Sequence, residues 1–395
     1  MTLALPDFPT LEREGLVYLD TSATAQTVRP AIEAMDLYYE TYRATIHRSV
    51  YSIANEATEA YEDARAKVAA FAGADVGETV FTRNATEAIN LVAYAWGRAN
   101  VGPGDLVLTT QMEHHSNIVP WQLLGGRLEY VPVGDDGLLD LDALDALLAQ
   151  GPKLVAVGHV SNVLGTINPV AEIARRAHAA GAVVLVDGAQ AVPSLPVNFA
   201  ELGVDFYAWT GHKAYGPTGI GVLHGRRELL EEMPPFLGGG HMIARVGDTE
   251  STWAEPPAKF EAGTMPVAEA IGLGAAIDWL SGIGMDEVRA HGRDVTEYAV
   301  ERLSEIPGLT LYGPADLEHR GSLTSFALDG IHPHDVAEIL GRSGVCVRAG
   351  HHCAQPLHRR LGSPASTRAS YAIHNTHEDV DRLIDGLATV QEVFA

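Results

Sequence analysis

Val183-Val-Leu-Val-Asp187-Gly-Ala-Gln190 and Asp205-Phe-Tyr-Ala-Trp209-Thr-Gly-His-Lys213 are the stretches of sequence that decide the fold. Each begins with a short apolar run, which is typical of a buried strand, and each continues into a turn that contains glycine and polar residues. In sheets of parallel strands, ligands bind at the carboxyl ends of the strands. The residues that follow these two strands are therefore the first candidates for a functional site.

The surrounding sequence, from about residue 60 to 225, alternates between strands and helices. Predicted helices cover 118–124 and 169–180, and Asn84 is expected to cap another helix with Glu87 in a capping box. This alternation predicts an α/β domain with a mostly parallel sheet that helices cover on both faces. The predicted strands are 78–82, 106–109, 128–131, 153–157, 183–186, 205–209 and 219–223.

The pattern changes after Pro234-Pro235, where 238–259 is predicted to be a surface excursion that contributes to a dimer contact. A long helix near 268–280 leads into a smaller α+β domain. We predict a large domain over 16–276 and a small domain made of 1–15 and 277–395. The predicted strands of the small domain are 309–312, 322–328, 345–348 and 367–372.

Composition excludes several classes of function. The chain has 395 residues and a formal net charge of -24, so its surface repels nucleic acid and anionic membranes. The two cysteines, Cys346 and Cys353, do not form a disulfide framework. The N-terminus lacks the basic region of a signal peptide, and no run of about 18 apolar residues is present. We expect a soluble, cytoplasmic protein.

Asp187 and Lys213 together suggest a pyridoxal phosphate site. A lysine in a glycine-rich turn is, taken alone, as readily a surface residue as a functional one. However, pyridoxal phosphate needs a lysine for its imine and an acidic group that faces the nitrogen of its pyridine ring. Gln190 could donate to the ring oxygen. The start of the helix at Asn84-Ala85-Thr86, with Thr210 and His212, could hold the phosphate.

Two further segments carry candidate residues. Gln111-Met-Glu-His114-His115 follows a strand, and an imidazole there could stack on the cofactor ring or transfer protons, although a lone histidine is more often structural. Arg348-Ala-Gly-His-His-Cys353-Ala allows several interpretations. A metal site is disfavoured because adjacent histidines do not easily turn to one ion and no CxxC spacing is present. Cys346, in an apolar strand, is predicted to be inert, whereas Cys353 lies in a loop where a nearby arginine or imidazolium would favour the thiolate.

The chain resembles the SufS-like, group II cysteine desulfurases, which belong to the class V branch of the fold-type I pyridoxal phosphate enzymes. This resemblance covers nearly the whole chain and implies a large domain with a seven-stranded, mostly parallel sheet and a smaller α+β domain. It is carried by the blocks Arg83-Asn-Ala-Thr-Glu-Ala-Ile-Asn90, Met112-Glu-His-His-Ser-Asn-Ile-Val-Pro-Trp121, His159-Val-Ser-Asn-Val-Leu-Gly-Thr166, Asp187-Gly-Ala-Gln-Ala191, Thr210-Gly-His-Lys213, Phe260-Glu-Ala-Gly-Thr264 and Arg348-Ala-Gly-His-His-Cys-Ala354.

The resemblance also implies roles for individual residues. Cys353 would attack the sulfur of L-cysteine and become a persulfide, which leaves L-alanine. Lys213 would bind the cofactor and take the Cα proton, and His114 would stack on the ring and transfer protons. The remaining cofactor contacts would be Asp187 at the ring nitrogen, Gln190 at the ring oxygen, Ala85, Thr86, Thr210 and His212 at the phosphate side, and Thr264 at the cofactor of the partner subunit. The substrate contacts would be Arg368, Asn162 and Arg348.

The resemblance further implies a homodimer that passes sulfur to a SufE- or SufU-type acceptor for iron–sulfur cluster assembly. Tyr51 and the segment Thr264-Met-Pro-Val depart from the usual family pattern. The nearest alternative is a selenocysteine lyase, in which selenium leaves more readily and Cys353 is dispensable. An aminotransferase or kynureninase is disfavoured by the His-His-Cys-Ala block. A sulfur carrier without catalytic activity is disfavoured by the Asp187/Lys213 pair.

Overall fold

The computed structural model of the chain describes residues 7–394. Residues 1–6 lie outside the described residues. They belong to the predicted small domain and to the N-terminal segment that lacks the basic region of a signal peptide. Strands within the described part are numbered in chain order: β1 Val17–Tyr18, β2 Thr79–Thr82, β3 Leu106–Thr110, β4 Arg127–Val131, β5 Leu154–Gly158, β6 Val183–Asp187, β7 Phe206–Thr210, β8 Gly221–Gly225, β9 Ile243–Val246, β10 Ser251–Trp253, β11 Leu309–Tyr312, β12 Leu323–Leu328, β13 Val345–Cys346, β14 Arg348–Gly350 and β15 Ser366–Ser370.

Helices surround these strands. None of the helices in residues 7–394 is by itself long and apolar enough to cross a membrane, and one pair, bent by 76° between residues 283 and 285, meets that criterion only when the two are taken together. The helices are α1 Arg29–Leu37, α2 Ser52–Phe71, α3 Ala85–Val92, α4 Arg98–Asn100, α5 Val119–Gln122, α6 Leu141–Leu148, α7 Val170–Ala179, α8 Phe199–Leu202, α9 Arg227–Glu232, α10 Val267–Ile283, α11 Met285–Ser304, α12 Pro333–Arg342, α13 Gln355–Arg360 and α14 His377–Phe394.

The large domain is built on a sheet with the strand order β2-β8-β7-β6-β5-β3-β4, in which β8 runs antiparallel to the other six strands. Alternate residues of each central strand pack into separate clusters on the two faces. Val155 and Val157 join one apolar cluster, and Leu154 and Ala156 join the other. Burial on both faces explains why these strands are continuous apolar runs. The predicted α/β domain with a mostly parallel sheet is confirmed.

Two predicted elements of the large domain differ in extent. The strand predicted at 219–223 runs from Gly221 to Gly225, because Gly219 has a φ of +83° and belongs to the turn before it. The helix predicted at 118–124 is reduced to the four residues of α5. The chain turns after it at Gly125, whose φ is +81°. The surface excursion after residue 238 contains the hairpin of β9 and β10.

The small domain has a four-stranded antiparallel sheet with the order β11-β12-β15-β14, covered by α11, α12 and α14. The prediction of one strand over 345–348 is wrong. Residues 345–346 form β13, which pairs in parallel with β1, whereas Arg348 begins β14 and pairs with Arg368 of β15. The chain changes its pairing partner there because β1, which is more than 300 residues away in the sequence, pairs with the first two residues. The local sequence does not indicate this pairing.

The predicted boundary at residue 277 falls within α10, and Ile277 packs in the core of the large domain. At the other end of the chain, Val17 and Leu19 pack in the apolar cluster of the small domain. The two domains therefore share elements at both connections. The exact division of the chain into domains stays a prediction.

A buried ion pair joins α2 to the segment before α10. Arg65 donates from Nη1 to Glu261 Oε1 at 2.6 Å and from Nη2 to Oε2 at 2.8 Å, and both side chains are at most 2% exposed. Glu261 also accepts the Phe81 N–H of β2 at 2.8 Å and the Tyr61 hydroxyl at 3.1 Å. The Arg65 guanidinium carbon lies 4.7 Å from the centre of the Phe81 ring. This network ties α2, β2 and residue 261 together.

We expect Glu261→Gln to lower the free energy of unfolding by about 3 kcal/mol, because Arg65 would lose its buried counter-ion and keep only the partly exposed Glu62 carboxylate, 2.9 Å from its Nε. Urea denaturation followed by circular dichroism measures this change. Glu255→Gln, whose side chain is 81% exposed, is the matched control and should change stability little. Equal urea midpoints for the two variants would contradict the claim that the Arg65–Glu261 ion pair stabilises the fold.

Candidate active site

A cavity of about 240 Å³ lies at the carboxyl ends of the central strands, between the two domains. The ends of β5, β6 and β7 contribute to it from the large domain, and β14 and β15 contribute from the small domain. Of the residues predicted from the sequence, Thr264 lies elsewhere. All the others line the cavity: Ala85, Thr86, His114, Asn162, Asp187, Gln190, Thr210, His212, Lys213, Arg348, Cys353 and Arg368.

Asp187 and Lys213 face the same space from adjacent parallel strands. Asp187 is the last residue of β6, and Lys213 ends a short 3-10 turn that follows β7. Burial lowers the pKa of Lys213 to about 8, although the attraction of Asp187 opposes this effect. Burial also raises the pKa of Asp187. Asp187 Oδ1 accepts the Ala189 N–H at 3.0 Å, and within residues 7–394 the Lys213 amine has no hydrogen-bond partner.

The N-terminus of α3 forms one end of the cavity. Asn84 caps the helix by accepting the Glu87 N–H at 2.9 Å, as predicted, but the Glu87 carboxylate accepts from the Arg83 N–H rather than from that of Asn84. Thr86 Oγ1 lies 2.7 Å from Ser116 Oγ. Ser116, which directly follows the histidine pair, is a lining residue not predicted from the sequence.

His114 is a neutral imidazole. Its Nδ1 accepts the Ser116 N–H at 3.1 Å, so the ring carries its hydrogen on Nε2. Burial, followed by the charge of Lys213, lowers its pKa to about 3. Gln190 reaches the cavity from the turn after β6 and donates from Nε2 to the Ser22 carbonyl at 2.8 Å.

Glu113 also lines the cavity, although the sequence marks it only as the residue before the histidine pair. Its carboxylate accepts from the Thr110 hydroxyl and the Asn117 amide, both at 2.6 Å, and from the Gly158 N–H at 2.9 Å. These bonds bridge the ends of β3 and β5. Burial raises the pKa of Glu113 to about 7.

Two arginines lie side by side on the small-domain wall, because Arg348 of β14 is in register with Arg368 of β15. Arg368 is 2% exposed. It donates from Nη1 to the Asn162 carbonyl at 2.9 Å and from Nη2 to Asp20 Oδ1 at 3.1 Å, whereas its buried Nε has no partner within residues 7–394. Arg348 is exposed at the mouth of the cavity. Asp20 follows the short run Val17-Tyr-Leu19, and nothing in that run indicates Arg368 as its partner.

Cys353 lies on a loop between β14 and α13 whose backbone is strained. His352 and Cys353 have φ values of +50° and +56°, a left-handed conformation that costs about 1–2 kcal/mol per residue outside glycine. The Asn162 amide donates to the His352 carbonyl at 2.7 Å, and His352 Nε2 lies 3.1 Å from the Ser366 carbonyl. The fold therefore holds the thiol in a defined position at the cavity.

The histidines around the cavity are uncharged at neutral pH. Burial lowers the pKa of His212 and His159 to about 4, and burial with the Arg368 charge lowers that of His352 to about 2. Lys213 and Arg368 therefore carry positive charge close to Cys353. Within residues 7–394, no group of three or more histidine, cysteine, aspartate or glutamate side chains is arranged to hold a metal ion.

Thr264 lines a second cavity, of about 650 Å³, with Tyr38, Tyr39, Phe236 and Leu237 among its walls. Tyr39 and Leu237 are each about half exposed. In the isolated chain, Thr264 does not belong to the cavity that contains Lys213.

Comparison with known proteins agrees with this architecture. The model of the family "Aminotransferase class-V" matches residues 17–383. A probable cysteine desulfurase of Halobacterium salinarum is 50% identical, over 98% of this chain and 96% of its own length. Another similar protein, a cysteine desulfurase of Haloferax volcanii, is 47% identical over 98% of this chain and 96% of its own length.

Solved structures are similar throughout their length. The apo structure of the cysteine desulfurase from Thermococcus onnurineus NA1 superposes with a TM-score of 0.94 at 40% identity, covering 98% of this chain and 97% of that one. The cysteine desulfurase CsdA of Escherichia coli, in an S-sulfonic acid form, gives a TM-score of 0.92 at 39% identity with the same coverage. Full-length similarity of sequence and structure shows that the chain belongs to the class V aminotransferase family and, within it, to the cysteine desulfurases.

Proposed function

We propose that the protein converts L-cysteine to L-alanine with bound pyridoxal phosphate and transfers the sulfur to Cys353 as a persulfide. The observation that carries this proposal is the meeting of three groups in one cavity: the Asp187 carboxylate, the Lys213 amine and the Cys353 thiol. The first two suit a pyridoxal phosphate enzyme of any kind. The thiol narrows the chemistry to the removal of sulfur.

The lining residues fit the cofactor on which this family depends. Within residues 7–394, the buried Asp187 carboxylate accepts only the Ala189 N–H, and Lys213 Nζ has no partner, so both are free to meet a pyridinium nitrogen and an aldehyde. Ala85 and Thr86 at the start of α3, with Thr210 and His212, would hold the phosphate. The neutral ring of His114 would stack on the pyridine, and Gln190 would donate to its oxygen. When bound, the cofactor withdraws electrons from the substrate Cα.

Arg368 is suited to bind the substrate carboxylate. Asp20 and the Asn162 carbonyl hold its two terminal nitrogens, while its buried Nε–H lacks an acceptor. An unsatisfied buried donor is costly, and a carboxylate would satisfy it with a charge-assisted hydrogen bond. Asn162 and Arg348, which line the same wall, would assist in orienting the substrate.

The chemical roles of Lys213 and Cys353 follow from their positions. Lys213 Nζ takes the proton from Cα, and its pKa of about 8 makes the neutral amine far more abundant at pH 7 than in an ordinary lysine. The Cys353 thiolate attacks the substrate Sγ, so that a sulfur–sulfur bond forms and the substrate Cβ–S bond breaks. The electron pair of the broken bond stays on the carbon skeleton, which is protonated to give alanine. Atoms and electrons balance without an external oxidant, because one thiol and L-cysteine give one persulfide and L-alanine.

We further propose that the protein is a SufS-like, cytoplasmic homodimer that supplies sulfur for iron–sulfur clusters through a SufE- or SufU-type acceptor. Two features support the dimer. Thr264 lies outside the cavity of its own chain, and the second cavity beside it has half-exposed Tyr39 and Leu237. Such exposed apolar groups favour a protein partner, and Thr264 would then meet the cofactor of the partner subunit. A protein acceptor for the sulfur is compatible with two observations. The relatives are named as cysteine desulfurases, and Arg348 is exposed beside Cys353.

Cys353→Ser should bind the cofactor normally but lose alanine formation from L-cysteine by at least about a hundredfold, because a hydroxyl is a far weaker nucleophile than a thiolate at neutral pH. Chromatographic measurement of alanine tests this loss, and Cys346→Ser is the matched control. Full turnover by Cys353→Ser would exclude the assignment. Two results together would identify a selenocysteine lyase instead. The unmodified enzyme would prefer L-selenocysteine to L-cysteine, and Cys353→Ser would release selenide from L-selenocysteine at the unmodified rate.

The rate of imine formation between pyridoxal phosphate and the apoprotein should rise with pH up to about 8 and then level off. An amine with a pKa of about 8 is about one tenth neutral at pH 7, whereas an ordinary lysine is neutral to well under about 0.1%. Absorbance of the bound cofactor measures the rate, Lys213→Ala gives the background, and Nα-acetyl-lysine gives the profile of an ordinary amine. A protein profile that continues to rise above pH 10 would contradict the lowered pKa.

If Thr264 acts across a dimer interface, Leu237→Glu should convert the dimer to a monomer, because the charge would be placed in the apolar wall beside Thr264. Light scattering coupled to size-exclusion chromatography measures the mass, and Val119→Glu, at an exposed apolar residue outside the second cavity, is the control. A monomeric unmodified protein, or a Leu237→Glu variant that remains dimeric, would argue against this interface.

A further inference from the structure

His115, the second histidine of the pair, has no assigned role, yet it contacts the loop of Cys353 at two points. Its N–H donates to the Cys353 carbonyl at 2.7 Å. Its ring Nε2 accepts the Gln355 N–H at 3.1 Å. The two bonds hold the residues on either side of Ala354, namely Cys353 and Gln355. They also cross between the domains, because His115 belongs to the large domain and the loop belongs to the small one.

The loop needs such attachments. Consecutive left-handed residues that are not glycine persist only where the surroundings hold them, and here His352 and Cys353 are both left-handed. The Cys353 N–H donates to His351 Nδ1 at 3.2 Å, but that bond lies within the loop itself. His115 instead ties the loop to a 3-10 turn, His115–Asn117, that is anchored to the large domain.

That turn also positions the other side of the cavity. His114 precedes it as its N-cap, and Ser116 within it contacts Thr86 at the start of α3. A movement of this turn would therefore shift the His114 ring and the Cys353 loop together. Attack by the thiolate requires the two sulfur atoms to approach in line, and a misplacement of about 1 Å can cost about a hundredfold in rate.

We propose that His115 is a positioning residue whose imidazole holds the Cys353 loop in the geometry required for sulfur transfer. This inference rests on the proposed function, since it concerns the same reaction. The acceptor nitrogen is Nε2, so the hydrogen of the neutral ring is on Nδ1. Burial, with the neighbouring His351 and Arg359, lowers the pKa of His115, which keeps Nε2 available as an acceptor. His114, whose ring centre lies 6.3 Å away, is itself neutral.

The test compares two substitutions in the complete holoenzyme. His115→Leu removes the ring acceptor but keeps the backbone bond, whereas His115→Gln retains an oxygen that can accept the Gln355 N–H. We expect His115→Leu to lower kcat for alanine formation by about tenfold to a hundredfold with KM for L-cysteine within about twofold, because Arg368, which binds the substrate carboxylate, does not depend on the His115 ring. His115→Gln should restore most of the lost kcat.

Hydrogen–deuterium exchange gives a readout that does not require turnover. In His115→Leu, the amide of Gln355 should lose protection, while the peptides that contain β6 and β7 should exchange as in the unmodified protein. His332→Leu is the matched control. It removes another imidazole of the small domain that accepts a backbone N–H, here that of His334 at 3.2 Å, at the start of α12 instead of at the loop.

Three outcomes would overturn the proposal: unchanged exchange at Gln355 in His115→Leu, a His115→Gln variant as impaired as His115→Leu, or a rise in KM that matches the fall in kcat. An unmodified enzyme that makes no alanine from L-cysteine would instead overturn the proposed function. The exchange experiment would still report on the contact between His115 and the loop in that case.

Discussion

The site depends on one constraint, which is that β5, β6 and β7 are parallel and end at the same edge of the sheet. Asp187 is the last residue of β6, and Lys213 follows β7 by three residues, so a carboxylate and an amine meet at the cavity although 26 positions separate them in the chain. Burial of both strand faces removes water from beneath them and changes both pKa values. The small domain then supplies what the sheet lacks, namely two guanidinium groups and a thiol.

Much of this arrangement could be predicted from the sequence because its signals are local. Apolar runs of four or five residues identified the strands of the parallel sheet, and the polar turns after them contained Asp187, Gln190 and Lys213. The fold class and the residues of the cavity followed from these runs and from the family resemblance. The assignments of Arg368 and Asn162 depended on the resemblance alone, since nothing near them in the sequence indicates a carboxylate site.

What could not be predicted involves contacts between distant segments. Asp20 is about 350 positions from Arg368, and nothing in the sequence around either residue indicates that the two form an ion pair. Glu113 was hidden because its role, bridging the diverging ends of β3 and β5, exists only once those strands are paired. The strand over 345–348 was mispredicted for a similar reason, because β1 takes the first half and β15 takes the second. Left-handed residues at 352 and 353 have no signature in the residue types.

The neutral histidines have a consequence for the proton balance of the site. His114, His159, His212 and His352 all have pKa values of about 4 or lower, so acidification from pH 8 to pH 5 adds no proton to them. Buffering by the cavity over the physiological range therefore comes from Glu113 and Lys213, whose pKa values are about 7 and about 8, and not from the imidazoles. Any proton taken up or released when a ligand enters must be exchanged by the few other ionisable groups of the site. The histidines keep one charge state between pH 8 and pH 5, so the electric field around the reacting sulfur changes over this range mainly with the charge of Lys213.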